Sequence, residues 1–169
     1  MSARDLAFAG MFGAASLLLP VIFHLLQLGH ALMPMYIPLV ALAFLVKGPV
    51  AVTTAFLIPL LSAAVTGMPP LYPPIAPIMS IELAFMCGLI ATAIRVRPSL
   101  RPLVVLLPVL VAGRFLNFVL SYAAALVLEL PPQFVGTLSF VAGWPGVLLM
   151  MFVIPPLVRA IGATGVRTL

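Results

Sequence analysis

The chain has 169 residues, of which 64% are hydrophobic and only 7% charged, a composition that excludes a water-soluble globular domain and points to an integral membrane protein. Eight Lys and Arg against three Asp and Glu give a formal charge of +5. That surplus invites a nucleic-acid partner, but the basic residues are scattered singly between apolar runs and form no patch, which excludes that class.

A helix of about twenty apolar residues crosses the hydrocarbon layer, because each residue rises about 1.5 Å and the layer is roughly 30 Å thick. In chain order the apolar runs predict six spans: Leu6 to Leu26, Met33 to Val46, Val50 to Val65, Ile75 to Ile94, Leu103 to Leu128 and Gly136 to Ile161. A secretory signal peptide competes for the first, with "QLGHA" as a cleavage site, but the apolar stretch is longer than the 7 to 15 residues usual for such a region. The second span is short, and Pro34 and Pro38 predict an irregular start. The runs are continuously apolar and do not alternate, which favours helices over a barrel. The expected fold is all-α: one domain over residues 1–169, an integral membrane bundle of six transmembrane helices.

Basic residues set the orientation. Arg4, Lys47, Arg95, Arg97, Arg101, Arg159 and Arg167 all fall on one side of a six-span arrangement. The opposite side holds "QLGHA", "TGMPPLYPP" and "ELPPQ", without Lys or Arg. The positive-inside rule therefore places both termini in the cytoplasm, with the chain in the cell (inner) membrane. The single Cys87 lies within the fourth span and reads as a packing residue.

Two connections on the outer side are rich in proline and aromatics. "TGMPPLYPPIAP", Thr66 to Pro77, carries five prolines and predicts a stiff extended segment holding Tyr72. "FHLLQLGHALMPMY", Phe23 to Tyr36, gathers His24, His30, Met35 and Tyr36. Either these segments anchor at the membrane interface, or they lid a pocket.

The eighth basic residue breaks the topological pattern, and so does one acid. Arg114 lies deep in the fifth span and Glu82 deep in the fourth, where "IAPIMSIELAFMCGLIATAI" holds no other charge. Glu82 is thirteen residues from Arg95, and Arg114 is thirteen from Arg101. Both therefore sit about 20 Å from the cytoplasmic boundary, at matched depth on consecutive antiparallel helices. A charge there costs about 2.5 to 3.5 kcal/mol on insertion scales and must face a partner or a wet cavity. Asn117 and Ser121 follow Arg114 at i+3 and i+7, on the same helical face. Two explanations stand: an ion pair that only fixes helix register, with little net stability after desolvation, or a substrate cavity in which Arg114 offers a donor fork and Glu82 orients it or receives a donor.

"LAFAGMFGAASLLLP", "ALMPMYIPLVALAFLVKGP", "FLIPLLSAAVTGMPPL", "IELAFMCGLIA" and "AGRFLNF", in that order over most of the chain, resemble the substrate-binding S subunits of energy-coupling factor (ECF) vitamin transporters. The resemblance implies a six-helix protein that binds a vitamin or related micronutrient from outside, in a pocket of outer loops and the outward halves of helices four to six. It also implies docking on a transmembrane coupling subunit and two ATPase subunits. The expected substrate-binding residues are Glu82, Arg114, Asn117, Tyr36, His30, Met35, Tyr72 and Trp144, with Trp144 an equally good core residue. The family's small-x-x-x-small docking pattern falls on Gly10 and Ala14 of the first helix, with Ala9 and Gly13 broadening the surface; small residues one turn apart let helices approach closely. Pantothenate is the substrate that the Met-Pro-Met pattern favours, over riboflavin and thiamin precursors.

No G-x-x-x-x-G-K-[ST], G-x-S-x-G or H-E-x-x-H stretch is present, and neither histidine has a nearby carboxylate in sequence. The chain is expected to be a binder and not an enzyme, with no cofactor or metal, ATP hydrolysis falling to its partners. Other classes remain open: an intramembrane enzyme using Glu82 with His24 or His30, a purely structural bundle, or a solitary transporter coupled to protons through Glu82.

Overall fold

The computed structural model describes residues 2–25, 32–129 and 143–162. These form six helices and, among the described residues, no strand. The helices are α1 (Ala3–Leu25), α2 (Tyr36–Leu42), α3 (Gly48–Thr66), α4 (Ile75–Val96), α5 (Pro102–Val127) and α6 (Trp144–Ile161). All except α2 are long and apolar enough to cross a membrane.

Local chemistry sets the ends. At the start of α1 the Ser2 hydroxyl accepts from the Asp5 N–H, and the Asp5 carboxylate accepts from the Ser2 N–H, both at 3.1 Å. This reciprocal capping box satisfies two donors that a helix start leaves open. Prolines occupy the first turn of α3, α5 and α6, where their missing N–H costs nothing. Helix α3 stops at Gly67, whose φ of 73° only glycine adopts freely and whose N–H reaches the Ala63 carbonyl. The buried Ser62 hydroxyl then donates to the Met68 carbonyl at 2.6 Å, folding the proline-rich connection back over the end of α3.

The second helix departs most from expectation. Seven residues rise about 10 Å, so α2 is too short to cross, and the chain leaves it through the tight turns Phe44 N–H to Ala41 carbonyl and Leu45 N–H to Leu42 carbonyl. Apolarity continues to Val46 for another reason: Leu39, Val40, Ala41 and Leu42 are wholly buried, in contact with neighbouring helices and not with lipid. By Lys47 the chain has come back beside Asp5, whose carboxylate feels both the ammonium and the backbone N–H of Lys47.

Helix α2 packs against α1, α3, α4 and α6 and so forms the centre of the bundle. The same core cluster takes in Leu83, Met86 and Ile90 of α4, Leu106 and Leu110 of α5, and Val147, Met150 and Ile154 of α6. The α3–α4 interface is the most extensive, and small residues make it close: a Cβ on Gly48 would stand 2.9 Å from that of Ala91. Helix α1 is the outlier, with 11% of its span buried against 44% for α4.

Candidate functional site

Four side chains from three helices converge in the interior. Glu82 of α4 is wholly buried and Arg114 of α5 is 5% exposed. Arg114 Nη2 donates to Glu82 Oε1 in a buried ion pair. Glu82 Oε2 accepts twice, from the Tyr36 hydroxyl at 2.5 Å and from Asn117 Nδ2 at 2.8 Å. The guanidinium also lies over the Tyr36 ring, 5.2 Å from its centroid, a cation–π geometry. Ser121, one turn beyond Asn117, donates to its Oδ1 at 3.5 Å, extending the polar line toward the Val127 end of α5.

Sequence and helix geometry explain the convergence. Glu82 and Arg114 lie at matched distances from the short α4–α5 connection, so antiparallel packing brings them level. One turn along α4 from Glu82, the buried Met86 packs against Gly113 of α5. A Cβ on Gly113 would meet the Met86 sulfur at 2.5 Å, so the missing side chain lets the methionine fill the gap. The cluster thus has an apolar floor toward the Arg95 end and a polar ladder toward the other.

Burial makes each of these bonds strong: a charge in a low-dielectric interior is costly unless paired and hydrogen-bonded, and three donors on one carboxylate meet that demand. Among the described residues no sealed side-chain nitrogen or oxygen lacks a partner.

Of the expected substrate-binding residues, the fold brings Glu82, Arg114, Asn117 and Tyr36 together. Met35 is buried in the core beside Tyr36. Tyr72 is 70% exposed in the proline-rich connection, and Trp144 is 39% exposed at the start of α6. His30 lies outside the described residues, as does the side chain of His24. Cys87 is buried, its thiol donating to the Leu39 carbonyl at 3.5 Å, in keeping with a packing role. Among the described residues no group of His, Cys, Asp and Glu could hold a metal ion.

The four residues of the small-residue pattern separate. Gly10 and Ala14 face outward, and a Cβ on Gly10 would touch nothing within 4 Å. Gly13 is buried, and its Cβ would sit 3.0 Å from Cδ1 of Ile58 in α3. Ala9 is half-buried against the core. Gly13 therefore serves packing within the chain and does not broaden the outward face. Sequence reading passed over Asp5, although the spacing S-x-x-D before an apolar run is a capping signal.

Comparison with protein-family models, with curated proteins and with solved structures finds no match to this chain.

Proposed function

We propose that the chain is a multi-pass membrane protein that binds a vitamin or related micronutrient and delivers it inward in company with a transmembrane coupling subunit and two ATPase subunits. The observation that carries this reading is the Tyr36–Glu82–Arg114–Asn117 cluster. Ionisable side chains within membrane helices are costly and mark substrate or ion sites by default, and these face the bundle interior. The resemblance of "MPMYIP", "TGMPP", the Glu and the Arg to vitamin-transporter S subunits supplies the substrate class, with pantothenate the first candidate.

Orientation belongs to the same proposal. Lys47 lies beside Asp5, near Arg4 at the start of α1, and Gly48 lies against Ala91 near the Arg95 end of α4. These contacts gather Arg4, Lys47, Arg95, Arg97 and Arg101 toward one end of the bundle, which the positive-inside rule makes cytoplasmic. On this reading the segment containing α2 is a sixth crossing, helical only over Tyr36–Leu42 and tolerable because it is enclosed by protein, and both termini are cytoplasmic. The outward face of Gly10 and Ala14 would then receive the coupling subunit.

Mass spectrometry of small molecules released from the detergent-purified chain tests the reading. A vitamin at near-stoichiometric yield is expected, and its affinity should fall at least a hundredfold in Arg114→Ala, on the order of 3 kcal/mol. A chain that carries and binds no small molecule would refute it.

A second reading draws on the Tyr36 and Asn117 bonds to Glu82: a carboxylate in a chain of hydroxyl and amide groups suits a solitary proton-coupled transporter. Such a protein would transport in liposomes without ATPase partners, respond to a pH gradient, and lose that response in Glu82→Gln.

A further inference from the structure

The cluster is asymmetric in what it has left to offer. Glu82 is nearly spent, with Oε1 taken by Arg114 and Oε2 by both Tyr36 and Asn117. Arg114 is not. A guanidinium carries five N–H donors in a planar fork, arranged as two two-donor edges that share one terminal nitrogen. Arg114 donates to Glu82 through Nη2, and its other hydrogen-bonding neighbour is the Tyr36 hydroxyl. With Glu82 and the Tyr36 hydroxyl, which are bonded to each other, on one edge, the other keeps both of its donors. Arg114 is 95% buried, from its 5% exposure, yet none of its nitrogens is among sealed, unpartnered atoms. The nitrogens of Arg114 that lack a bond are therefore not sealed from solvent.

The geometry points to the unspent edge of Arg114 as the subsite for a carboxylate carried by a small ligand. This inference rests on the binding-protein reading above and narrows it to one ligand class. A planar two-donor edge matches the two oxygens of a carboxylate, and the bidentate pair is both strong and directional. The same edge gives a lone hydroxyl one bond and leaves the second donor unmet. Glu82 does not obstruct sharing of the guanidinium, because Tyr36 and Asn117 hold its carboxylate independently of Arg114. The Tyr36 ring lies against the guanidinium, 5.2 Å from its centroid, and restricts its movement on that side before a ligand arrives. The Met86–Gly113 contact closes the floor, so the ligand approaches along the Asn117 and Ser121 side.

The test compares acids with carboxyl-free partners of the same skeleton on the intact chain in detergent: pantothenate with panthenol, nicotinate with nicotinamide, and biotin with biotin methyl ester. Titration calorimetry should show one pair in which the acid binds at least a hundredfold more tightly than its partner. Arg114→Lys, which keeps the charge but loses the two-donor edge, should weaken the acid at least tenfold and so narrow the difference within the pair. A pair whose members bind within tenfold of each other, or in which the carboxyl-free compound binds better, overturns the carboxylate subsite while leaving the binding-protein reading in place. Binding of none of the six compounds overturns the carboxylate subsite, and a purified chain that in addition carries no small molecule overturns both. The comparison within a pair uses the unaltered chain, so a variant that fails to fold does not spoil it.

Discussion

The phenol of Tyr36 and the carboxylate of Glu82, 46 residues apart in sequence, meet at 2.5 Å in the interior of the bundle. Tyr36 begins the short α2, and through this bond the central segment is tied to α4. Hydrogen bonds to charged groups contribute about 1.5 to 3 kcal/mol. Tyr36→Phe keeps the ring over Arg114 and deletes only the hydroxyl, so it should destabilise the detergent-solubilised chain by about that amount. A thermal-unfolding midpoint unchanged from the parent would show that the bond contributes nothing.

The ion pair makes a prediction about coupling. Removing one member of a buried pair leaves an uncompensated charge and costs about 3 to 5 kcal/mol, whereas replacing both with apolar groups is often neutral. Glu82→Leu and Arg114→Met should each be strongly destabilising, and the double variant should be more stable than either. Unfolding of all three in one detergent measures the interaction energy. Additive losses would mean that the two charges do not act as a pair in the folded chain.

How far the sequence carried can be judged from these same residues. Glu82 and Arg114 were legible because a charge in an apolar run has few physical outlets, and because counting residues from the basic turn gives depth. Asn117 followed from helical spacing alone. Tyr36 was visible as a candidate, but its bond to Glu82 was not, since it depends on where α2 packs. The extent of α2 was not legible, because hydropathy cannot tell contact with lipid from contact with protein: within Met33 to Val46 the helix covers only Tyr36–Leu42, and its centre is enclosed by protein. Gly13 misled in the same way, since its spacing fits an outward face while its actual neighbour is Ile58.

Gly113 and Met86 test the floor of the cluster. A methyl group on Gly113 would approach the Met86 sulfur to 2.5 Å and its Cγ to 2.7 Å. Met86 is buried and cannot swing away freely, so Gly113→Ala should cost about 1 to 3 kcal/mol through overpacking. Trimming the obstacle restores room, so Met86→Ala combined with Gly113→Ala should lose less than the two separate losses together. A thermal-shift comparison of the four proteins reads this directly, and strict additivity would contradict the close approach.

Gly10 and Gly13, three residues apart on α1, should respond oppositely to the same enlargement. Around Gly10 there is open space, so Gly10→Leu should shift stability by no more than about 0.5 kcal/mol. If the outward face receives a coupling subunit, the same variant should fail to co-purify with that subunit while still binding its small ligand. Gly13→Leu, by contrast, drives a branched side chain into Ile58 of α3 and should destabilise the isolated chain by about 1 to 3 kcal/mol. Measuring stability on the isolated chain and co-purification on the complex separates the two effects. Equal destabilisation by both variants would place Gly10 inside the bundle, and normal recovery of the complex with Gly10→Leu would remove the docking assignment from this face.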